Sequence, residues 1–242
     1  MKFSFLTCFL FALILCASGQ ASKWRMIGND FGWESLVVQD DLVESRRYRG
    51  QSFSPLNVSY YRFASQSIFQ VGLSYHQRRP DDEQNELRVQ SFDIDLSYYR
   101  KVVSGKHLRF HLGLGNRTYF TYMNFRDLED SYDMGIISLR LASLLEAQLR
   151  SIQVLFDVGF GLVKYGSRAG YDWILGVDDG FSQKWTSFNS FSELTMNLRA
   201  NVPLTSKWVL SPSWRLFVAR NHESEPLALI RNQVSVGIFF RL

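Results

Sequence analysis

The sequence predicts an all-β protein, a transmembrane antiparallel up-and-down β-barrel of about ten strands. Three observations carry that expectation. Beyond residue 20, apolar and polar residues alternate in long stretches, the period of a strand with two unlike faces. The links between those stretches are short and long in turn. After residue 21 no apolar run reaches the roughly 20 residues of a membrane helix, so a bilayer would be crossed by strands.

The first residues read as an export signal. Lys2 supplies a positive start, Phe3 to Cys16 an apolar stretch too short to span a bilayer, and Ala17-Ser18-Gly19 the small residues of a cleavage site. Residues 1–19 are therefore expected to be a signal peptide, cleaved before Gln20, and residues 20–242 the barrel. Acylation of Cys16 and a soluble segment starting at Met1 are the alternatives. Both cysteines, Cys8 and Cys16, fall inside the signal, so the exported chain would have neither disulfide nor thiol nucleophile. A net charge of +4, without a Lys/Arg block, gives no reason to expect nucleic acid.

The strands follow in order. A first one is expected somewhere in WESLVVQDDLVESRRYR. PLNVSYYRF sets Leu56, Val58 and Tyr60 on one parity, and the tight link Ala64 to Gln66 leads to SIFQVGLSYHQR with Phe69, Val71, Leu73 and Tyr75 in phase. After the charged loop RRPDDEQNE, SFDIDLSYY alternates Phe92, Ile94, Leu96 and Tyr98 with polar residues. A turn at Ser104-Gly105 returns the chain into HLRFHLGLGNRTYF, followed by the polar loop MNFRDLEDSYD. Met134 to Leu149 reads as a strand, although Ile137, Leu141, Leu144, Leu145 and Gln148 could also share a helical face. SIQVLFDVGFGLVKY, SELTMNLRANV, WVLSPSWRLFVAR and the closing NQVSVGIFFRL complete the set, with a long loop from Gly166 to Ser187. Short turns then follow residues 63, 102, 147 and 202, and longer loops lie near 49, 80, 127, 176 and 223. That alternation is expected of a barrel with tight turns at one rim and large loops at the other.

A soluble sandwich or lipocalin would bury the apolar parity, whereas a membrane barrel turns it to lipid. Long strands, the export signal and aromatics toward strand ends (Tyr75, Tyr98, Tyr119, Tyr165, Trp208) favour the membrane. The last strand adds a fourth reason. Val234, Val236, Ile238, Phe240 and Leu242 occupy every second place counted back from Leu242. This resembles the C-terminal assembly signal of bacterial outer-membrane barrels, with Leu242 where such families usually have Phe. The strand-and-loop pattern is similar to that of the small OmpA/OmpX/OmpW-like class. The resemblance implies bacterial outer-membrane residence, outer-membrane lipid as surroundings, and periplasmic chaperones and the barrel-assembly machinery as partners during biogenesis.

With the apolar parity outward, the lumen is expected to hold Asp93, Asp95, Asp157 and Glu193 against Arg109, His111, Arg117, Arg140, Arg199 and Arg215. A charge in a low-dielectric wall is costly unless paired, and ten strands make a narrow barrel. The mixed signs therefore predict a salt-bridged, plugged lumen, with Asp93 near Arg117 and Ser97 near His111. Gly159 and Gly161 are expected to leave room for bulky lumen neighbours. No ligand spacing suggests a metal and no phosphate loop suggests a cofactor. The expected role is structural or surface-binding, through outer loops that meet an unidentified extracellular ligand. Tyr171, Trp173, Phe181 and Trp185 are the candidate contacts. A restricted small-solute channel is one alternative. A soluble secreted β-protein is another. A third is an outer-membrane hydrolase with His76 or His222 beside the acidic loop residues Asp81, Asp82, Asp178, Asp179 and Glu223, although no spacing resembles the omptin or lipid A deacylase constellations.

Overall fold

The computed structural model describes residues 22–40, 46–54, 56–78, 87–125, 130–172, 177–179, 184–187, 191–221 and 227–242. Its strands are β1 (Ser22–Asp40), β2 (Arg46–Ser54), β3 (Leu56–Ala64), β4 (Ser67–Arg78), β5 (Leu87–Ser104), β6 (Leu108–Phe125) and β7 (Asp130–Leu149). They continue as β8 (Ile152–Asp172), β9 (Val177–Asp179), β10 (Lys184–Ser187), β11 (Phe191–Pro203), β12 (Trp208–Asn221) and β13 (Leu227–Arg241). Among the described residues none is helical.

Each strand pairs antiparallel with its neighbours, in the order β8-β11-β12-β13-β1-β3-β4-β5-β6-β7. The β7–β8 ladder then closes the ring, so the barrel has ten staves and is all-β, as the sequence predicts. Closure pairs the first and last staves of the described ladder and so leaves the ring without a free edge, the condition for a sheet surrounded by lipid. β2 continues the β3 stave upward along β1, while β9 and β10 fold back onto β8. The last strand pairs with the first from Met26↔Arg241 to Asp40↔Leu227.

The two faces divide the side chains as the alternation requires. On β13, Val234, Val236, Ile238 and Leu242 are exposed, while Arg231, Gln233, Ser235 and Phe239 are buried inside. On β1, Ile27, Phe31 and Trp33 point out, Trp33 with 68% of its surface exposed, while Asp30 and Glu34 point in. Leu112, Leu141, Phe160 and Leu198 continue the apolar outer surface around the ring. A water-soluble β-protein distributes these residues the other way round.

Several boundaries differ from the sequence-based expectation. The stretch expected to hold one first strand contains a hairpin instead, with β1 running to Asp40 and β2 beginning at Arg46. The connection expected near residue 49 therefore falls at residues 41–45. β6 and β7 extend to Phe125 and from Asp130, so the polar segment read as a loop is mostly ladder. The long loop expected from Gly166 is strand as far as Asp172. Met134 to Leu149 is strand, not helix. Its helical appearance arises because Ala142 and Leu144 face an apolar part of the lumen while Leu141 and Leu145 face outward, so both sides are greasy there.

Candidate functional site

The interior of the barrel is the one described region where charged, aromatic and hydrogen-bonding side chains converge. Short turns at 65–66, 105–107, 150–151 and 204–207 gather the staves at one end. There the lumen is apolar. Met26, Tyr61, Phe63, Ile68, Tyr99, Leu144, Leu155, Val209 and Phe239 are buried in one cluster, with Trp24 stacked on Phe63 at 3.9 Å between ring centroids. Bulky side chains fill the narrow interior at this floor.

Above the floor the interior becomes ionic. Arg199 is fully buried; its guanidinium lies 4.7 Å from the Phe239 ring and 5.3 Å from the Tyr61 ring. Arg199 Nη2 donates to Asp30 Oδ2 at 2.5 Å, and Arg215 Nη2 donates to the same oxygen at 3.2 Å. Arg140 reaches Asp95 Oδ1 at 2.5 Å and Thr195 Oγ1 at 3.0 Å, with Glu193 4.0 Å from its Nε. Asp157 accepts from the Tyr99 hydroxyl at 2.8 Å. Asp93 Oδ2 receives Arg231 at 2.8 Å and Arg117 at 3.0 Å; His76 is 3.8 Å away and bridges to Glu34 at 2.8 Å. Arg117 and His76 flank Asp93 from the staves on either side of it, while Arg199–Asp30, Tyr99–Asp157 and Arg231–Asp93 join staves three or four places apart and brace part of the lumen. The short distances matter because a buried ion pair compensates its desolvation only with close, hydrogen-bonded geometry.

A third network runs along the wall beside the floor. Ser211 donates to Asn201, Asn201 to Gln153 and Gln153 to Glu146, at 2.7, 3.0 and 2.9 Å. Glu146 also meets Arg109 at 3.0 Å and His111 at 3.3 Å. Within the ionic layer a cavity of about 70 Å³ remains, lined by Glu34, His76, Asp93, Arg117, Arg140 and Asp157 among others. That volume holds a handful of waters, at roughly 10–15 Å³ for each. Among the described residues no group of three or more His, Cys, Asp or Glu side chains is placed to hold a metal.

All ten lumen residues named from the sequence face inward or line this layer. Asp93, Asp95, Asp157, Glu193, Arg117, Arg140, Arg199 and Arg215 sit in the ionic layer, and Arg109 and His111 in the wall network. Arg117 meets Asp93, but Ser97 stands opposite Gly115 and His111 opposite Lys101, because the turn lies at 105–107, later than the expected Ser104-Gly105. Gly161 and Gly159 stand beside Glu193 and Thr195; a Cβ there would lie 2.8 Å from Glu193 Cβ and 2.6 Å from Thr195 Oγ1.

Sequence reasoning missed Asp30, Glu34, Glu146 and Arg231. The parity of Phe31 and Trp33 against Asp30 and Glu34 was the available signal. Tyr119, expected among the outer aromatics, is buried inside against Phe217, at 5.4 Å between centroids. It shares the odd parity of Arg117, which already placed it inward. His76, considered for a rim site, is buried in the lumen. Val234, Val236, Ile238, Phe240 and Leu242 all lie on the outer face of the last stave, with Phe240 edge-on to Trp208 at 5.2 Å. Of the loop candidates, Tyr171 lies on β8 opposite Asp178, and Trp185 on β10 opposite Tyr165. Trp173 and Phe181 lie outside the described residues, as do His222, Asp81, Asp82 and Glu223.

No protein-family model matches the sequence, and no curated protein matches it either. Solved structures do. The translocator domain of the autotransporter NalP from Neisseria meningitidis matches with a TM-score of 0.51 at 10% identity, covering 100% of this chain and 96% of that one. The outer membrane protease OmpT from Escherichia coli matches with a TM-score of 0.50 at 10% identity, covering 93% of this chain and all of that one. At this identity the likeness establishes architecture: the fold is that of a small outer-membrane β-barrel.

Proposed function

We propose that this barrel sits in a bacterial outer membrane, is closed to solutes, and acts through the surface its outer loops present, in a structural or surface-binding role. The filled interior carries the reading. An apolar floor and an ionic layer stand in series, and the cavity within the ionic layer measures about 70 Å³. A pore needs a continuous wet path, whereas here the ionised groups are spent on one another. The apolar outer face and the likeness to outer-membrane barrels support the location. On this reading the outward residues Val234 to Leu242 are what the barrel-assembly machinery meets, after periplasmic chaperones have carried the unfolded chain.

The test is conductance. The full chain, refolded into planar lipid bilayers, is expected to give no steady openings; reproducible large openings would overturn the closed-lumen reading. Location is tested by protease added to intact cells. Cuts are expected in the long connections around residues 79–86 and 173–183, and full protection would overturn the placement of those loops outside.

A further inference from the structure

The short-turn rim is strongly one-signed. Among the described residues it presents Arg25, Arg62, Arg100, Lys101, Lys106 and Lys207. Among the described residues the one carboxylate side chain at that end, Glu146, is turned inward to Arg109 and His111. Three of the arginines share a further property. Arg25, Arg62 and Arg100 lie on the outer parity of β1, β3 and β5, facing the surroundings of the barrel rather than its lumen.

Their placement is specific. Arg25 stands directly opposite Arg62 in the β1–β3 ladder. Like charges directly opposite one another on a sheet repel, so an anion between them would be bound by both. The next outward row is Ile27, Tyr60 and Val71, and Arg62 is level with Phe69 and Tyr98. Arg100 follows Tyr98 on the same face. The cations therefore border the apolar belt where its aromatic side chains end, the level at which lipid phosphates lie.

A second observation bears on the partner. At the same rim the strand ends and turns expose Val102, Val103, Leu149 and Leu204, each with 58–59% of its surface open. A soluble acidic protein would satisfy the charge and leave these side chains in water. A headgroup layer takes both, since it offers phosphates beside acyl chain.

We propose that the outer face of β1, β3 and β5 at the short-turn rim is a binding surface for anionic phospholipid headgroups of the leaflet those turns face, with Arg25 and Arg62 sharing one phosphate. The proposal rests on the bilayer-spanning reading above.

It is tested by refolding the full chain into phosphatidylcholine bilayers containing phosphatidylglycerol, and measuring the relative association of spin-labelled phosphatidylglycerol and phosphatidylcholine with the protein. The wild type is expected to prefer phosphatidylglycerol several-fold. R25Q/R62Q/R100Q is expected to lose most of that preference. Raising the salt to about 1 M, where screening acts within roughly 3 Å, is expected to erase it in the wild type. Equal preference in wild type and triple variant overturns the proposal, as does a wild type without preference. So does a salt-insensitive one, which is read without any variant if the triple variant fails to fold. A chain that does not insert into phosphatidylcholine bilayers at all fails the membrane reading instead, so the two failures are distinguishable.

Discussion

Asp30 accepts from two guanidinium groups, while Glu193 stands 4.0 Å from one that already has Asp95 as its close partner. Asp30→Asn leaves Arg199 inside a fully buried site without its carboxylate, and is expected to cost about 3–5 kcal/mol of barrel stability. Glu193→Gln removes a carboxylate whose cation stays paired, and is expected to change stability by about 1 kcal/mol or less. Urea unfolding of the barrel in lipid, followed by Trp fluorescence, separates the two; equal costs would show that the cation nearest each carboxylate does not set its worth. Gly237 belongs to the same site. A Cβ there would meet Asp30 Oδ1 at 2.1 Å and a Phe239 ring carbon at 2.6 Å, so Gly237→Ala is expected to push the carboxylate off Arg199 and approach the Asp30→Asn cost.

Strands make a different use of glycine. In β6, a Cβ on Gly113 would lie 2.1 Å from the Tyr98 carbonyl oxygen, which belongs to the backbone of the paired strand. In β4, a Cβ on Gly72 would find its nearest neighbour at 3.6 Å. Gly113→Ala is therefore expected to destabilise by about 1–3 kcal/mol by forcing β5 from β6, and Gly72→Ala to be neutral or slightly stabilising. Heat-modifiable gel migration at increasing temperature reads both, and a Gly113→Ala barrel melting with the wild type would refute the close approach. The strands were legible wherever the two faces differ, as in the alternation of Phe92, Ile94, Leu96 and Tyr98 with Asp93, Asp95 and Ser97. Legibility fails at the short-turn end and along β1. Inward Met26, Leu36 and Leu144 are apolar there, and outward Arg25 and Ser35 are polar, so neither face has a uniform character. The lumen charges were readable as a set from parity. Asp93 with Arg117, on neighbouring strands, was readable too; the distant partners were not, because Asp30–Arg199 and Asp93–Arg231 join residues 169 and 138 positions apart, which only closure brings together.

For the whole molecule, the closed-lumen proposal makes the two layers of the lumen seals in series, so that a conducting path requires both to open. Asp95→Asn, Arg140→Gln and Glu193→Gln together remove the charges of one cluster, and Asp157, which loses Arg140 as a neighbouring cation, keeps its Tyr99 hydroxyl bond. This barrel is expected to stay silent in planar bilayers, because the floor formed by Tyr61, Phe63, Leu155 and Phe239 is untouched. Adding Tyr61→Ala and Phe239→Ala removes the two rings on which Arg199 rests, and so both empties the floor and frees the cation above it. That five-fold variant is expected to show openings, provided heat-modifiable migration shows it folded. If the charge-neutral triple variant conducts by itself, the ionic layer alone closes the barrel. If the five-fold variant is folded and silent, closure resides in residues nearer the outer rim, where Tyr119, Phe217 and the guanidinium of Arg117, 4.1 Å from the Phe217 ring, form the next constriction.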